Sequence, residues 1–160
     1  MEDAQRAVLV ELVQGVGAGG YDALRPMLEA ASHNRVWVTP PLIAVAAGLV
    51  RVLTDELDER PWRANDALWE QYLPDQRPSG RSGWSRSNLA LHAAASLAGG
   101  VWLDVAASES YWRTPMWPAA LDVVELLTRV AIDRCSLTAD VLAVRLTALL
   151  DVRPPATDLL

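Results

Sequence analysis

The sequence predicts an all-α fold, arranged as a single compact, bundle-like domain of six or seven helices. Apolar residues recur at spacings of three and four along most of the chain, as they do on one face of an α-helix. No stretch alternates in the way typical of a strand, and prolines and glycines divide the helical stretches. The length of 160 residues fits one domain, which we place at residues 1–152, followed by a short C-terminal tail at residues 153–160.

Four helices are predicted in the first half of the chain. The first ends in a glycine-rich run, and the fourth ends at a proline. The third has the clearest apolar stripe, and it opens at two prolines, which are tolerated in the first turn of a helix. The stripe consists of Leu42, Ala46, Leu49, Leu53 and Leu57. The four predicted helices are residues 3–14, 21–32, 41–59 and 64–73.

Three helices are predicted in the second half, after the longest loop. Residues 74–86 hold proline, glycine, serine and arginine with almost no apolar content, which indicates this loop. Ser87 is a suitable N-cap for the helix that follows. The pair Gly99-Gly100 either breaks that helix or allows another helix to approach closely. The three helices are residues 88–107, 118–134 and 137–150, and a second irregular segment, residues 108–116, separates the first two.

The composition excludes several classes of protein. A net charge of −6 argues against a broad nucleic-acid-binding surface, which is normally basic. The single Cys135 excludes an intramolecular disulfide, and the acidic N-terminus is unlike a secretory signal, so we expect a cytoplasmic protein. All 14 basic residues are arginine and there is no phenylalanine, a bias typical of a GC-rich bacterial genome. Neither apolar stretch suits a membrane span, because residues 42–50 are too few and residues 89–107 include Asp104.

An acidic cluster lies at the C-terminal end of the third predicted helix. It consists of Asp55, Glu56, Asp58 and Glu59. Carboxylates four residues apart share a helix face and can bind one cation together. The cluster resembles the acidic motif of the all-α nucleoside triphosphate pyrophosphohydrolases of the MazG-like group, over about five residues. The resemblance implies a phosphate hydrolase with Mg²⁺ as cofactor. The other interpretation is a solvated helix end whose carboxylates pair with Arg51 and Arg60.

Arg86 and His92 form a second constellation. An arginine followed at short range by a histidine near a helix start resembles the motif of HEPN-type ribonucleases, which are compact and helical. The resemblance implies that both side chains act on a scissile phosphate, with histidine suited to proton transfer. Asn88, His92 and Ser96 also form a polar stripe at spacings of four on an otherwise apolar helix. The other interpretation is a buried histidine whose ring nitrogens are satisfied by neighbours.

Aromatic residues concentrate in and beside the two irregular segments. Tryptophan and arginine are enriched at interface hot spots, and no complete catalytic set is present, so we favour a non-enzymatic protein that binds a protein partner or itself. The expected partner-binding residues are Trp62, Trp69, Trp84, Tyr111, Trp112, Arg113 and Trp117. The alternative for these tryptophans is a place in the core. Under this interpretation we expect no cofactor, no membrane and no nucleic acid. Mg²⁺ is expected only if the protein is the phosphate hydrolase, and RNA only if it is the ribonuclease.

Overall fold

Helices make up all the regular secondary structure in the part of the chain that the structure describes. This computed structural model describes residues 1–18, 21–63, 65–74 and 81–152, without the side chains of residues 63, 65–66 and 81–85. These ranges contain eight α-helices and one 3₁₀ turn, Pro61–Arg63. The helices are α1 (Asp3–Ala18), α2 (Leu24–His33), α3 (Thr39–Glu56), α4 (Asn65–Tyr72), α5 (Arg81–Ala98), α6 (Val105–Trp112), α7 (Trp117–Arg134) and α8 (Ala139–Leu149).

The predicted all-α class is confirmed, but the described part has eight helices rather than six or seven. The additional helix arises because the predicted helix 88–107 is divided into α5 and α6. Gly100, with a φ of 89°, adopts a left-handed conformation that glycine enters without a Cβ penalty, and α5 ends before it. Asp104 then caps α6, since its side chain accepts a hydrogen bond from the backbone N–H of Ala107 at 3.1 Å. Residues 108–112, expected in a loop, are helical.

Two further boundaries differ from the expectations. α1 continues through Gly15 instead of ending before it. A Cβ at this position would lie 2.8 Å from the side chain of Leu24, so the glycine permits a close approach of the α2 segment. α5 begins inside the predicted loop of residues 74–86. Residues 75–80 of that loop lie outside the described residues, as does the predicted tail at residues 153–160.

α3 is the central helix because it is apolar on nearly every side. Twelve of its 18 residues are buried, and it packs against α1, α5, α7 and α8. The predicted stripe faces the core, and its members from Leu42 to Leu53 are fully buried. The helix ends at Glu56, before the expected residue 59, so Leu57 follows its last turn.

One hydrophobic core joins the described helices. Each of the eight contributes at least one buried apolar side chain to the same cluster. Trp69 of α4 and Met116, the residue before α7, are among the largest side chains that are fully buried there. Within the described ranges, no helix combines the length and the continuous apolar character that are required to cross a bilayer.

Glu109 on α6 brings the starts of α3 and α7 to the same end of the bundle. Its Oε2 accepts hydrogen bonds from the Thr39 hydroxyl at 3.1 Å and from the Met116 backbone N–H at 2.8 Å. Its Oε1 accepts a hydrogen bond from Trp37 Nε1 at 2.6 Å. A carboxylate is favourable at helix N-termini, where N–H groups lack intrahelical partners and the helix dipole is positive. α3 and α7 therefore start together and run in the same direction, and an ion pair also joins the regions where they end.

Two polar contacts tie the α2 segment to α7. The Tyr21 hydroxyl donates a hydrogen bond to Thr128 Oγ1, and burial raises the pKa of this phenol well above its usual range. Closer to the start of α7, Arg25 Nη2 lies 3.3 Å from Asp122 Oδ1. Burial raises the pKa of Asp122 to about 6, an effect that Arg25 opposes and that the Glu125 carboxylate reinforces. The Asp122 carboxyl is therefore about half protonated near pH 6.

Candidate functional site

An open cleft of about 890 Å³ lies between α3 and α5. The C-terminal half of α3 forms one wall, and α5 from Asn88 onward, with Gly99 just after its end, forms the other. The segment that follows α3 adds Arg60 and Trp62 to the lining. The volume falls within the range of small-molecule sites, which is roughly 300–1,000 Å³. We refer to this feature as the α3–α5 cleft.

Small residues on α5 leave this space open. The residues of α5 that line the cleft recur at spacings of three and four, so they share one face of the helix. Near the end of α5 the lining residues are Ala95, Ser96 and Ala98, and Gly99 follows directly after the helix. These short side chains do not fill the gap to α3. The apolar part of the lining comes from Val50 and Leu91, which are both buried.

Two arginines that line the cleft have no carboxylate partner among the residues that the structure describes. Arg51 lies on α3 and Arg60 in the segment that follows it, and neither forms an ion pair within the described ranges. Asp55 also lines the cleft, but its Oδ2 lies 3.9 Å from Nη2 of Arg145. The two arginines therefore outnumber the one carboxylate. In a chain of net charge −6, a cleft with this local excess of positive charge favours the approach of an anion.

His92 is exposed on the α5 wall of the cleft. The interpretation of His92 as a buried, satisfied histidine is therefore wrong. Ser96, one turn later, and Asp55 also line the cleft, yet no hydrogen bond joins either of them to His92 in the part of the chain described. A nucleophilic triad requires the nucleophile, the base and the orienting acid within hydrogen-bond reach. These three residues do not meet that requirement.

The acidic cluster at the end of α3 contacts arginines from two later helices. Arg145 of α8 donates a hydrogen bond to Glu56 and also approaches Asp55. Arg134 at the end of α7 lies 3.2 Å from Glu59. The cluster is thus a paired helix end, but the expected pairing with Arg51 and Arg60 is wrong. Its partners are instead the arginines of α7 and α8, because those helices pass the end of α3.

The predicted Mg²⁺ site is not assembled in the described structure. Of its four carboxylates, Asp55, Glu56 and Glu59 face arginines, and Asp58 has no ion pair among the described residues. No group of three or more His, Cys, Asp or Glu side chains in the described ranges is close enough to hold a metal ion. Carboxylates four residues apart in this cluster were expected to share one helix face and to meet at one cation. They do not, because α3 ends at Glu56, inside the cluster.

Arg86 and His92 do not meet in the cleft, although both belong to α5. Six residues of α-helix place two side chains about 120° apart around the axis. His92 lines the cleft, whereas Arg86 is half-buried and is not part of the lining. The polar stripe that contains His92 is assembled as predicted: Asn88, His92 and Ser96 all line the same cleft.

The predicted partner-binding aromatic residues do not share one surface. Trp69 and Trp117 are core residues, 0% and 7% exposed, so they are not available to a partner. For these two, the alternative interpretation is correct. Trp62 and Trp112 are partly buried against the core, and the side chain of Trp84 lies outside the described residues.

Two other residues of that set, Tyr111 and Arg113 at the C-terminal end of α6, are exposed. Two exposed tryptophans that sequence reasoning did not include lie near the same helix. Trp102 precedes α6, and the indole of Trp37 is bound to Glu109 of α6. We call Trp37, Trp102 and Tyr111 the α6 aromatic group; their exposed fractions are 41%, 45% and 84%.

Sequence reasoning also missed the role of Arg51 and Arg60 in the cleft lining. Their proximity in sequence to the acidic cluster suggested pairing with it. The sequence nevertheless contained a signal for the cleft itself. The α5 region carries polar residues at spacings of four beside alanines and glycines, which are too small to fill a helix interface.

Comparisons with models of known protein families, with curated proteins and with solved structures found no match.

Proposed function

We propose that this protein is a non-enzymatic binding protein that holds a small anion in the α3–α5 cleft. The observation that carries the proposal is the pair Arg51 and Arg60, which line the cleft without a carboxylate partner among the described residues. Guanidinium groups are suited to carboxylate and phosphate because their planar donors match two oxygens at once. An anion bound here completes the pairing of both arginines.

The contrast with the paired arginines of this chain supports the proposal. Each of four arginines in the described part has a carboxylate oxygen within 4.0 Å. They are Arg25, Arg129, Arg134 and Arg145. Arg6, Arg35 and Arg113 also have no ion pair among the described residues. Of these arginines, Arg51 and Arg60 are the two that line a volume large enough for a ligand.

Binding rather than catalysis is the function that this geometry favours. Acid–base catalysis requires a proton donor or acceptor positioned against the reacting group and often oriented by a second residue. His92 is the residue in the cleft best suited to proton transfer, and in the described structure no second side chain orients it. We propose the same cytoplasmic setting that the single, unpaired Cys135 suggests.

Thermal unfolding in the presence of small anions tests this proposal. A ligand that binds only the native state raises its stability by about 2.7 kcal/mol at a concentration of about 100 times Kd. We expect inorganic phosphate or citrate at millimolar concentration to raise the Tm of the wild type. The double variant Arg51→Gln/Arg60→Gln should lose most of this shift, because it retains the cleft and lacks both cations.

Arg6→Gln is the matched control, since Arg6 is an exposed arginine of α1 outside the cleft. This variant should keep the full shift. Equal shifts in the double variant and the control would mean that anions stabilise the protein through its general charge. In that case, or with no shift at all, the cleft is not an anion site.

Self-association through the α6 aromatic group is a second proposed function. Three large aromatic side chains stand exposed around one short helix of a protein whose other described aromatic residues are mostly buried or partly buried. Such a concentration of exposed apolar area is typical of interaction surfaces. Sedimentation analysis of the wild type and of Trp102→Ala/Tyr111→Ala tests this function: a dimer that dissociates in the variant supports it, and a wild-type monomer at high concentration contradicts it.

A further inference from the structure

We infer that the anion bound in the α3–α5 cleft carries a planar aromatic ring that stacks on Trp62. This inference rests on the proposed function and specifies the ligand of the same site: a small molecule in which a ring is joined to a phosphate or a carboxylate. The elements that support it are one fixed aromatic surface, an adjoining apolar lining, and cations in the same cleft.

Trp62 supplies the aromatic surface. It is the one tryptophan or tyrosine among the described residues that line the cleft, and its ring system is larger than the imidazole of His92, which also lines it. It lies in the 3₁₀ turn Pro61–Arg63 and is partly buried against the hydrophobic core. Pro61, which precedes it, is buried and has a restricted φ. The indole is therefore held before a ligand arrives, which reduces the entropy lost on binding.

The lining separates apolar from charged chemistry in a way that a ring-bearing anion would match. Val50 and Leu91 give buried apolar surface, which a simple inorganic anion would not use. Arg51 and Arg60 give the cations that neutralise an anionic group. A ligand with only one of these two features would leave part of the lining without a partner, and the volume of about 890 Å³ is large enough for both.

Asp55 further restricts the chemistry of the expected ligand. Its carboxylate also lines the cleft and approaches Arg145 from the other side. A second anionic group close to Asp55 would be repelled, whereas an N–H donor on a ring would find an acceptor there. The ligand that fits best is thus a heteroaromatic ring that has N–H donors and carries a single anionic group.

Calorimetric titration with two matched pairs of probes tests the inference. Adenosine 5′-monophosphate is compared with inorganic phosphate, and indole-3-acetate with acetate. Stacking of a ring on an aromatic side chain contributes about 1–3 kcal/mol, so we expect each ring-bearing probe to bind roughly 5- to 160-fold more tightly than its ringless partner. A gain confined to the phosphate pair identifies a nucleotide-like ligand, and a gain confined to the carboxylate pair identifies an aromatic acid.

Variants at Trp62 show whether the gain depends on this side chain. The measured quantity is the ratio of Kd for the ringless probe to Kd for its ring-bearing partner. Trp62→Leu should reduce the ratio to near one, and Trp62→Phe should retain part of it. Val144→Leu, at an exposed position on α8 outside the cleft, should leave the ratio at the wild-type value. The conservative Phe variant keeps the test valid if Leu disturbs folding.

The outcomes separate the inference from the proposed function. Equal affinities within both probe pairs, with binding that depends on Arg51 and Arg60, would overturn the inference and leave the anion site standing. A ring-dependent gain that persists in Trp62→Leu would also overturn it, because the ring would then bind elsewhere. The absence of binding by any of the four probes would overturn the anion site itself.

Discussion

Replacing Asp122 by asparagine is expected to stabilise the protein at neutral pH and to leave its stability unchanged in acid. Asp122 lies on α7, with its side chain 23% exposed, and Arg25 is its ion-pair partner at 3.3 Å. Burial raises the pKa of its carboxyl from 3.8 to about 6, despite the opposing effect of this arginine. The native state therefore binds the proton of Asp122 more tightly than the unfolded chain does.

The sign and size of the change in stability follow from the difference between the pKa of Asp122 in the native state and in the unfolded chain. Below about pH 3 the carboxyl is protonated in both states, so ionisation costs the native state nothing. As the pH rises through the interval from 3.8 to about 6, the unfolded state loses its proton first and the free energy of unfolding falls. At about 1.4 kcal/mol for each pKa unit, the full loss above the native pKa is about 3 kcal/mol. Asparagine does not ionise and avoids this loss.

Urea unfolding followed by circular dichroism, at several pH values between about 3.5 and 7.5, measures the effect. We expect Asp122→Asn to be more stable than the wild type by about 1–3 kcal/mol at pH 7.5, because solvent screens part of the burial cost. The difference should shrink as the pH falls through 6 and disappear near pH 3.5.

Glu29→Gln is the matched control, because it removes one negative charge from an exposed position on α2. Its stability difference from the wild type should be small and should vary little with pH. The reasoning is refuted if Asp122→Asn is less stable than the wild type at pH 7.5, which would mean that the ion pair with Arg25 outweighs burial. A stabilisation that is independent of pH would refute it equally.

Three further predictions concern side chains that hold helices together. Glu109→Gln should destabilise the protein by about 1–3 kcal/mol in urea unfolding, because one carboxylate oxygen that accepts hydrogen bonds becomes a donor; a neutral result would contradict its bridging role. Trp69→Phe should lower the free energy of unfolding by less than about 1 kcal/mol, since the buried indole N–H has no hydrogen-bond partner in the described structure. Leu68→Ala, beside it, should lower the free energy of unfolding by about 2–5 kcal/mol. Equal costs would show that the indole is satisfied. Arg145→Gln should cost about 1 kcal/mol or less at low salt and little at high salt, because its two carboxylate partners are largely exposed; a loss unaffected by salt would contradict a surface ion pair.

The periodic parts of the fold were predictable from the sequence. The stripe from Leu42 to Leu53 identified α3 and its buried face, because four side chains at helical spacing allow only one amphipathic arrangement. α7 lies within one residue of its predicted start and ends at its predicted residue, Arg134. The boundaries at glycine were not predictable, because Gly15 continues a helix and Gly100 interrupts a region that was predicted to be helical. Glycine permits both outcomes, and neighbouring packing decides between them.

The candidate site was predictable only in fragments. The polar stripe of Asn88, His92 and Ser96 was visible as a pattern, and all three residues line the cleft. The arginine partners of the acidic cluster were not visible, since Arg134 and Arg145 are more than 70 residues away from it in sequence. Spacing describes one helix at a time, whereas ion pairs between helices depend on which ends the packing brings together.

The sequence by itself determined the all-helical class and the apolar stripe of the third helix, because these follow from local periodicity. Only the tertiary structure decided that the carboxylates at the end of α3 face Arg134 and Arg145 while Arg51 and Arg60 line a cleft. It also decided which tryptophans are buried, with Trp69 inside the core and Trp102 on the surface. The physical reason is that burial and charge pairing depend on contacts between residues that are distant in sequence, and those contacts exist only when the helices are packed.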